Sequence, residues 1–135
     1  MAERRIREED WSEGNFVLAN SEEAEKGHIA CLDLTSGEVV AGQVDANLRT
    51  LGIFTQTLTG DGTLRVGVKL PREVKLHWFK NDGTDAVAAS DIGALCYVLD
   101  SETVSASHDT NARSAAGRVW GVNATHGVLV ELGAA

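Results

Sequence analysis

Leu64, Val66, Val68 and Leu70 fall on one side of an extended segment, and Arg65 and Lys69 fall on the other. That period of two is what a half-buried β-strand requires. The same period predicts a strand over residues 73–79, with Val74, Leu76 and Trp78 turned to the core and Lys75 and His77 away from it. Short apolar runs at 95–99, 103–107, 117–122 and 127–132 follow, separated by polar turns. Upstream, residues 15–20, 28–34, 38–44 and 48–58 read as further strands, with tight turns at Thr35-Ser36-Gly37 and Thr59-Gly60-Asp61-Gly62. No window in the last third places apolar residues three and four apart over ten positions, so long helices are not expected there. Two short helical turns are predicted. One lies near residues 21–25, where Ser21 precedes acidic residues suited to a helix N-terminus. The other lies at 88–93, with Ser90 or Asp91 as its cap and Gly93 as its stop. Pro71 cannot donate to a ladder and marks a strand edge or corner.

Around ten short strands without a βαβ pattern predict an all-β fold: a compact antiparallel β-sandwich or a partly closed, jelly-roll-like barrel, with no parallel sheet. Residues 15–135 are expected to form that single domain and residues 1–14 a flexible, charged N-terminal arm. No internal repeat or low-complexity tract is evident. At 135 residues and 43% apolar, the chain can bury a self-sufficient core, and with aromatics at 5% that core must lean on Val, Leu and Ile. Fourteen glycines against one proline suit many tight turns. No apolar run reaches membrane-helix length, and the charged N-terminus has no apolar signal region, so no membrane partner and no secretory route are expected.

Charge argues against nucleic acid. Twelve basic against twenty acidic residues give a net charge of −8, whereas a duplex-binding surface needs a basic face. Arg4, Arg5 and Arg7 do cluster, but Glu3, Glu8, Glu9 and Asp10 surround them, which makes a mixed-charge arm rather than a phosphate patch. If that arm orders on a partner protein, Trp11 and Phe16 are its apolar anchors.

Catalytic and metal signatures are missing from the sequence. His28, His77, His108 and His126 are widely spaced, with no H-x-x-x-H pair and no cysteine at zinc-ligand spacing, so neither metal nor cofactor is expected. Cys31 and Cys96 form no C-x-x-C pair and read as small buried thiols rather than a disulfide. His108-Asp109-Thr110 resembles a hydrolase fragment only superficially, because no serine occupies a G-x-S-x-G elbow. Thr59-Gly60-Asp61-Gly62 lacks the Lys-Ser/Thr of a phosphate loop, and Asp61 and Asp82 belong to no calcium-loop pattern. No enzymatic role is expected.

Three segments in order, SDIGALCYVLDSETVS, AAGRVWGV and HGVLVEL, resemble the C-terminal half of the small head proteins of tailed bacteriophages known as decoration or cement proteins. The likeness runs from near Val39 to the C-terminus and is one of pattern and order. It implies a structural virion protein, made in the bacterial host cytoplasm, that sits on the outer surface of the capsid and stabilises the lattice of the major capsid protein. It further implies a homo-oligomer, with a dimer favoured over a trimer, and no cofactor. Under this reading the capsid-interface candidates are Arg4, Arg5, Arg7, Trp11 and Phe16. Two alternatives stand beside it. A small β-barrel enzyme or ligand binder would need His28, His77, His108 or His126 to converge with carboxylates. A head–tail joining or tail protein would stay within the virion class.

Overall fold

A computed structural model describes residues 13–71 and 76–134. Its strands are β1 (Glu13–Val17), β2 (Glu23–Ala24), β3 (Ile29–Asp33), β4 (Val39–Ala41), β5 (Leu48–Phe54), β6 (Leu58–Thr59), β7 (Arg65–Lys69), β8 (Leu76–Asn81), β9 (Leu95–Val98), β10 (Thr103–Ser105), β11 (Ala115–Asn123) and β12 (Gly127–Leu132). The fold is all-β. Five strands close into a barrel in the order β10-β8-β12-β11-β9. The other large sheet has the order β1-β7-β5-β3-β4. It rolls up until Leu18, just beyond β1, forms a parallel bridge with Val39 of β4, where the Ala19 N–H donates to the Val39 carbonyl at 3.0 Å. The small β2-β6 pair lies beside this N-terminal barrel.

The turns form where side chains can satisfy local amides. Asp61 accepts the Thr63 and Leu64 N–H groups at 2.8 Å each, which bends the chain into β7. Asn123 does the same for Thr125 and His126, and Gly127, at φ +94°, then enters β12. The helical turn expected at 88–93 is a 3-10 turn, Ala89–Asp91. Asp91 accepts the Ala88 N–H at 2.8 Å, and Gly93 leaves the turn at φ +92°. The turn expected near 21–25 is not helical. Ser21 is left-handed (φ 65°), and Glu23–Ala24 pairs with Leu58–Thr59 as a strand.

Four further expectations are corrected. First, a parallel pair exists: β10 runs alongside β8, Val104 opposite Asn81. A closed ring of five strands cannot alternate direction all the way round, so one pair must be parallel. Second, Glu13 and Gly14 belong to β1, opposite Lys69 and Val68, so the ordered sheet begins before residue 15. Third, β8 has the opposite phase. Phe79 is buried, whereas Leu76 is 39% and Trp78 45% exposed; Val74 lies outside the described residues. The β12 register decides this, because it sets Phe79 against Val128 and His77 against Val130, and both valines are fully buried.

The fourth correction is the largest: the fold repeats. Each barrel is built by five strands in the same chain order, with the same neighbours and the same parallel closure. Phe16 opposes Val66 as Phe79 opposes Val128, and Gly14 opposes Val68 as His77 opposes Val130. Ala30 opposes Gly52 and Cys31 opposes Thr50, leaving Leu51 as a bulge; Cys96 opposes Gly117 and Tyr97 opposes Ala115, leaving Ala116 as the same bulge. Ile53 opposes Lys69 as Arg118 opposes Glu131. Leu32 opposes Val39 as Val98 opposes Val104. Matched residues stand 62 to 66 positions apart throughout. Even single hydrogen bonds recur: Gly27 N–H to Phe54 O (2.8 Å) matches Gly93 N–H to Val119 O (2.7 Å).

Interior positions match in kind. Ala30, Val39, Phe54, Val66 and Val68 fill the N-terminal barrel, and their counterparts Cys96, Val104, Val119, Val128 and Val130 fill the other. Ile29, Cys31, Val40 and Leu48 of the N-terminal half instead join the core of the C-terminal half. The barrels therefore share a continuous apolar seam, where the Thr50 hydroxyl also donates to the Ala115 carbonyl at 2.9 Å.

Candidate functional site: an exposed tryptophan face

The inward valines of β12 turn Leu129 and Glu131 to the outside, and the β8 register places Trp78 opposite Leu129 and Leu76 opposite Glu131. On β11 the pairing slips between Val119 and Gly121, so Trp120 is an extra residue and stands 44% exposed. The Trp120 indole N–H donates to Glu131 Oε1 at 2.9 Å. Trp78 reaches across Leu129 toward Gly121, where a β-carbon would lie 3.6 Å from its ring edge. His126 packs on the same ring with centroids 5.6 Å apart. Leu76, Trp78, Leu129 and Trp120 thus make one apolar face on a rigid sheet. Beyond it lies a shallow depression lined by Lys80, Asn81, Asn123, Thr125 and His126.

The N-terminal barrel supplies an internal control. The positions matching Leu76, Trp78, Leu129, Trp120 and Gly121 are Glu13, Asn15, Gly67, Thr55 and Gln56. They form a solvated polar face: Thr55 Oγ1 donates to Glu13 Oε1 at 2.7 Å, and Gln56 Oε1 accepts the Gly67 N–H at 2.9 Å. The topology therefore does not require an apolar outer face, and the tryptophans are additions to it. Exposed tryptophan on a rigid support is what binding hot spots are made of.

His28 does meet carboxylates. His28 Nδ1 lies 2.8 Å from the Ser101 hydroxyl, and Nε2 lies 3.2 Å from Glu25 and 3.7 Å from Glu102. Glu102 also holds Lys80 at 2.8 Å. A serine, a histidine and a carboxylate in sequence suggest acyl transfer. The neighbouring amides are already committed, however. Lys26 donates to Thr57, Gly27 to Phe54, His28 to Glu25, Ile29 to Ser101 and Glu102 to Asp100. None of these N–H groups is left to stabilise an oxyanion. The cluster joins the turn before β3 to the turn before β10 across the two barrels.

The other sequence candidates serve local structure. His108 Nδ1 accepts the Asn111 N–H at 2.9 Å and its ring meets Tyr97 edge-on. That contact sits in a left-handed turn formed by Asp109, Thr110 and Asn111. Asp82 accepts the Thr84 N–H at 2.9 Å and the Ser105 hydroxyl at 3.0 Å, and Arg113 donates to that same hydroxyl. These amide and hydroxyl bonds, with the nearby Arg113 charge, hold the Asp82 carboxyl below its ordinary pKa. Cys31 and Cys96 are both free and buried; burial raises their thiols to about 11 and about 12. Among the described residues, no group of three or more His, Cys, Asp or Glu is arranged to hold a metal ion, and no helix is long and apolar enough to cross a membrane.

Of the capsid-interface candidates, Arg4, Arg5, Arg7 and Trp11 lie outside the described residues. Phe16 lies in β1, opposite Val66, partly buried against the core of the N-terminal barrel. The Trp78–Trp120 face was missed by sequence reasoning because its apolar residues pass for core; its signal is that Val128 and Val130 already claim the inside of the adjoining strand. No protein-family model, no curated protein and no solved structure matches the chain.

Proposed function

We propose that the protein is a structural virion component that attaches to the outside of a tailed-phage head and reinforces the major capsid protein lattice. The reading is carried by one observation: a rigid all-β body with two half-exposed tryptophans on a face that its sister barrel keeps polar. The resemblance of the segments from Ser90 onward to decoration proteins supplies the phage context. A protein that binds only the assembled lattice lowers that lattice's free energy by its binding term, and many copies add their terms.

The test is to mix purified protein with emptied heads of the phage that encodes it and to count bound copies by cryo-EM. Hundreds of copies at symmetry-related positions support a decoration role, and a handful at one vertex would assign it to the head–tail joint instead. Trp78→Ala and Trp120→Ala should each reduce occupancy; undiminished occupancy in both would remove this face from the attachment. An enzymatic reading rests on Ser101, His28 and Glu25. Ester hydrolysis abolished by Ser101→Ala in a folded variant would establish it.

A further inference from the structure

We infer that the Trp78–Trp120 face receives an uncharged, apolar segment of its partner, one that offers a neutral carbonyl to the Trp78 indole N–H. The partner's identity, the major capsid protein, rests on the function proposed above; the chemistry of the contact comes from the face itself.

Three observations carry it. The first is that the charges bordering the face are engaged within the chain. Glu131 Oε1 accepts the Trp120 indole N–H at 2.9 Å. Lys80, on the same side of β8 as Trp78, donates to Glu102 at 2.8 Å. Arg118 stands opposite Glu131 in the β11–β12 ladder, and its guanidinium donates to the Gly93 carbonyl. Indole rings attract cations, but a guanidinium or ammonium group seated here would have to draw Glu131 off Trp120 or Glu102 off Lys80. An anion would meet Glu131 and a chain whose net charge is −8. An apolar group breaks no pair and meets no like charge.

The second is a difference between the two indoles. Glu131 holds the Trp120 N–H, whereas among the described residues no group accepts that of Trp78. Covering Trp78 with hydrocarbon alone would strip its N–H of water and leave nothing in return. The occupant therefore brings an acceptor, and a backbone carbonyl is one without charge. The third is the internal control. On the matching face of the N-terminal barrel, Thr55 bonds Glu13 and Gln56 bonds the Gly67 amide. The same scaffold thus stands with a wet polar face, and the apolar one answers to contact rather than to the fold.

The experiment titrates the full-length 15N-labelled protein with N-acetyl-leucine amide, N-acetyl-arginine amide and N-acetyl-glutamic acid α-amide, which share their carbonyls and differ in side-chain charge. The leucine compound should shift the Trp78 indole signal more than that of Trp120, and at several-fold lower concentration than the other two. Its midpoint should hold within about threefold between about 0.05 and about 1 M NaCl, because screening weakens charge pairs and not apolar contact. A stronger response to the arginine or glutamic acid compound overturns the inference, as does silence toward all three. Indole signals that move with protein concentration alone overturn it in favour of a second copy. Occupancy on emptied heads at the same two salt concentrations tests the partner separately. Leucine selectivity without head binding removes the capsid reading and leaves the chemistry standing. Head binding that weakens by about tenfold at the higher salt overturns the chemistry and leaves the capsid reading in place.

Discussion

Gly52 and Gly117 occupy matching bulges in the two barrels, and the prediction they support tests the repeat directly. A β-carbon on Gly52 would collide with the Lys69 carbonyl oxygen and lie 3.0 Å from its carbon; on Gly117 it would collide with the Glu131 carbonyl, whose carbon is 2.8 Å away. Carbon atoms rest at about 3.5–4.0 Å, so each strand pair must open by nearly an ångström. Overpacking of this kind costs about 1–3 kcal/mol, and each ladder bond weakened adds about 1 kcal/mol. Gly52→Ala and Gly117→Ala should therefore each destabilise by about 3 kcal/mol, a large share of a stability of about 5–15 kcal/mol. Gly83→Ala is the control, since nothing lies within 4 Å of its β-carbon position and its backbone needs no left-handed conformation. It should be neutral or mildly stabilising. Urea unfolding followed by circular dichroism would show midpoints lowered by about 1.5 M for the two bulge variants, at a slope near 2 kcal/mol/M. A loss below about 1 kcal/mol in either variant would refute the steric argument. A difference above about 2 kcal/mol between them would show that the matched positions are not energetically alike.

Three more outcomes are expected. Trp78→Ala should cost only about 1–2 kcal/mol, below the 3–5 typical of a buried Trp, because the side chain is half exposed; chemical denaturation measures it. Asp82 has a lowered pKa, so its contribution is present above the unfolded carboxyl value of about 3.9 and is lost as pH falls through its lower folded value. Asp82→Asn should flatten that acid limb in midpoint-against-pH curves, and an unchanged limb would assign it to other carboxylates. Native protein at pH 8 should leave both thiols unreacted toward a chromogenic disulfide and release two equivalents on unfolding; rapid native labelling would contradict their burial.

Strand positions were largely legible because alternation is a local signal: Val66 and Val68 are buried where the pattern places them, although Leu64, placed on the same face, precedes the strand and is 44% exposed. The phase of β8 was not legible. Val74, Leu76 and Trp78 alternate as a core face would, yet the side that faces inward is chosen by the partner strand, which lies fifty residues away in sequence. The repeat was hidden for a related reason. Two barrels of the same register need to agree only at inward positions, and there Ala30 answers to Cys96 and Phe54 to Val119. Outward positions diverged freely, Asn15 against Trp78, so identities are sparse. The faint trace is Val66-Gly67-Val68-Lys69-Leu70 beside Val128-Leu129-Val130-Glu131-Leu132. The His28 cluster was illegible because Ser101 and Glu102 approach only once both barrels are packed together.

The shared apolar seam has a consequence for synthesis on the ribosome. Ile29, Cys31, Val40 and Leu48 are translated early, yet the residues that cover them lie in β8 through β12. A nascent chain that has emerged only as far as Pro71 can roll its first sheet but must leave that stripe wet. Its closure waits for strands still inside the exit tunnel. Productive folding is thus deferred until the last strand, β12, is released, and a stalled or truncated product exposes a β-rich apolar stripe that invites aggregation. Pulse proteolysis of chains arrested at successive lengths would register this as protection arriving in one late step rather than barrel by barrel.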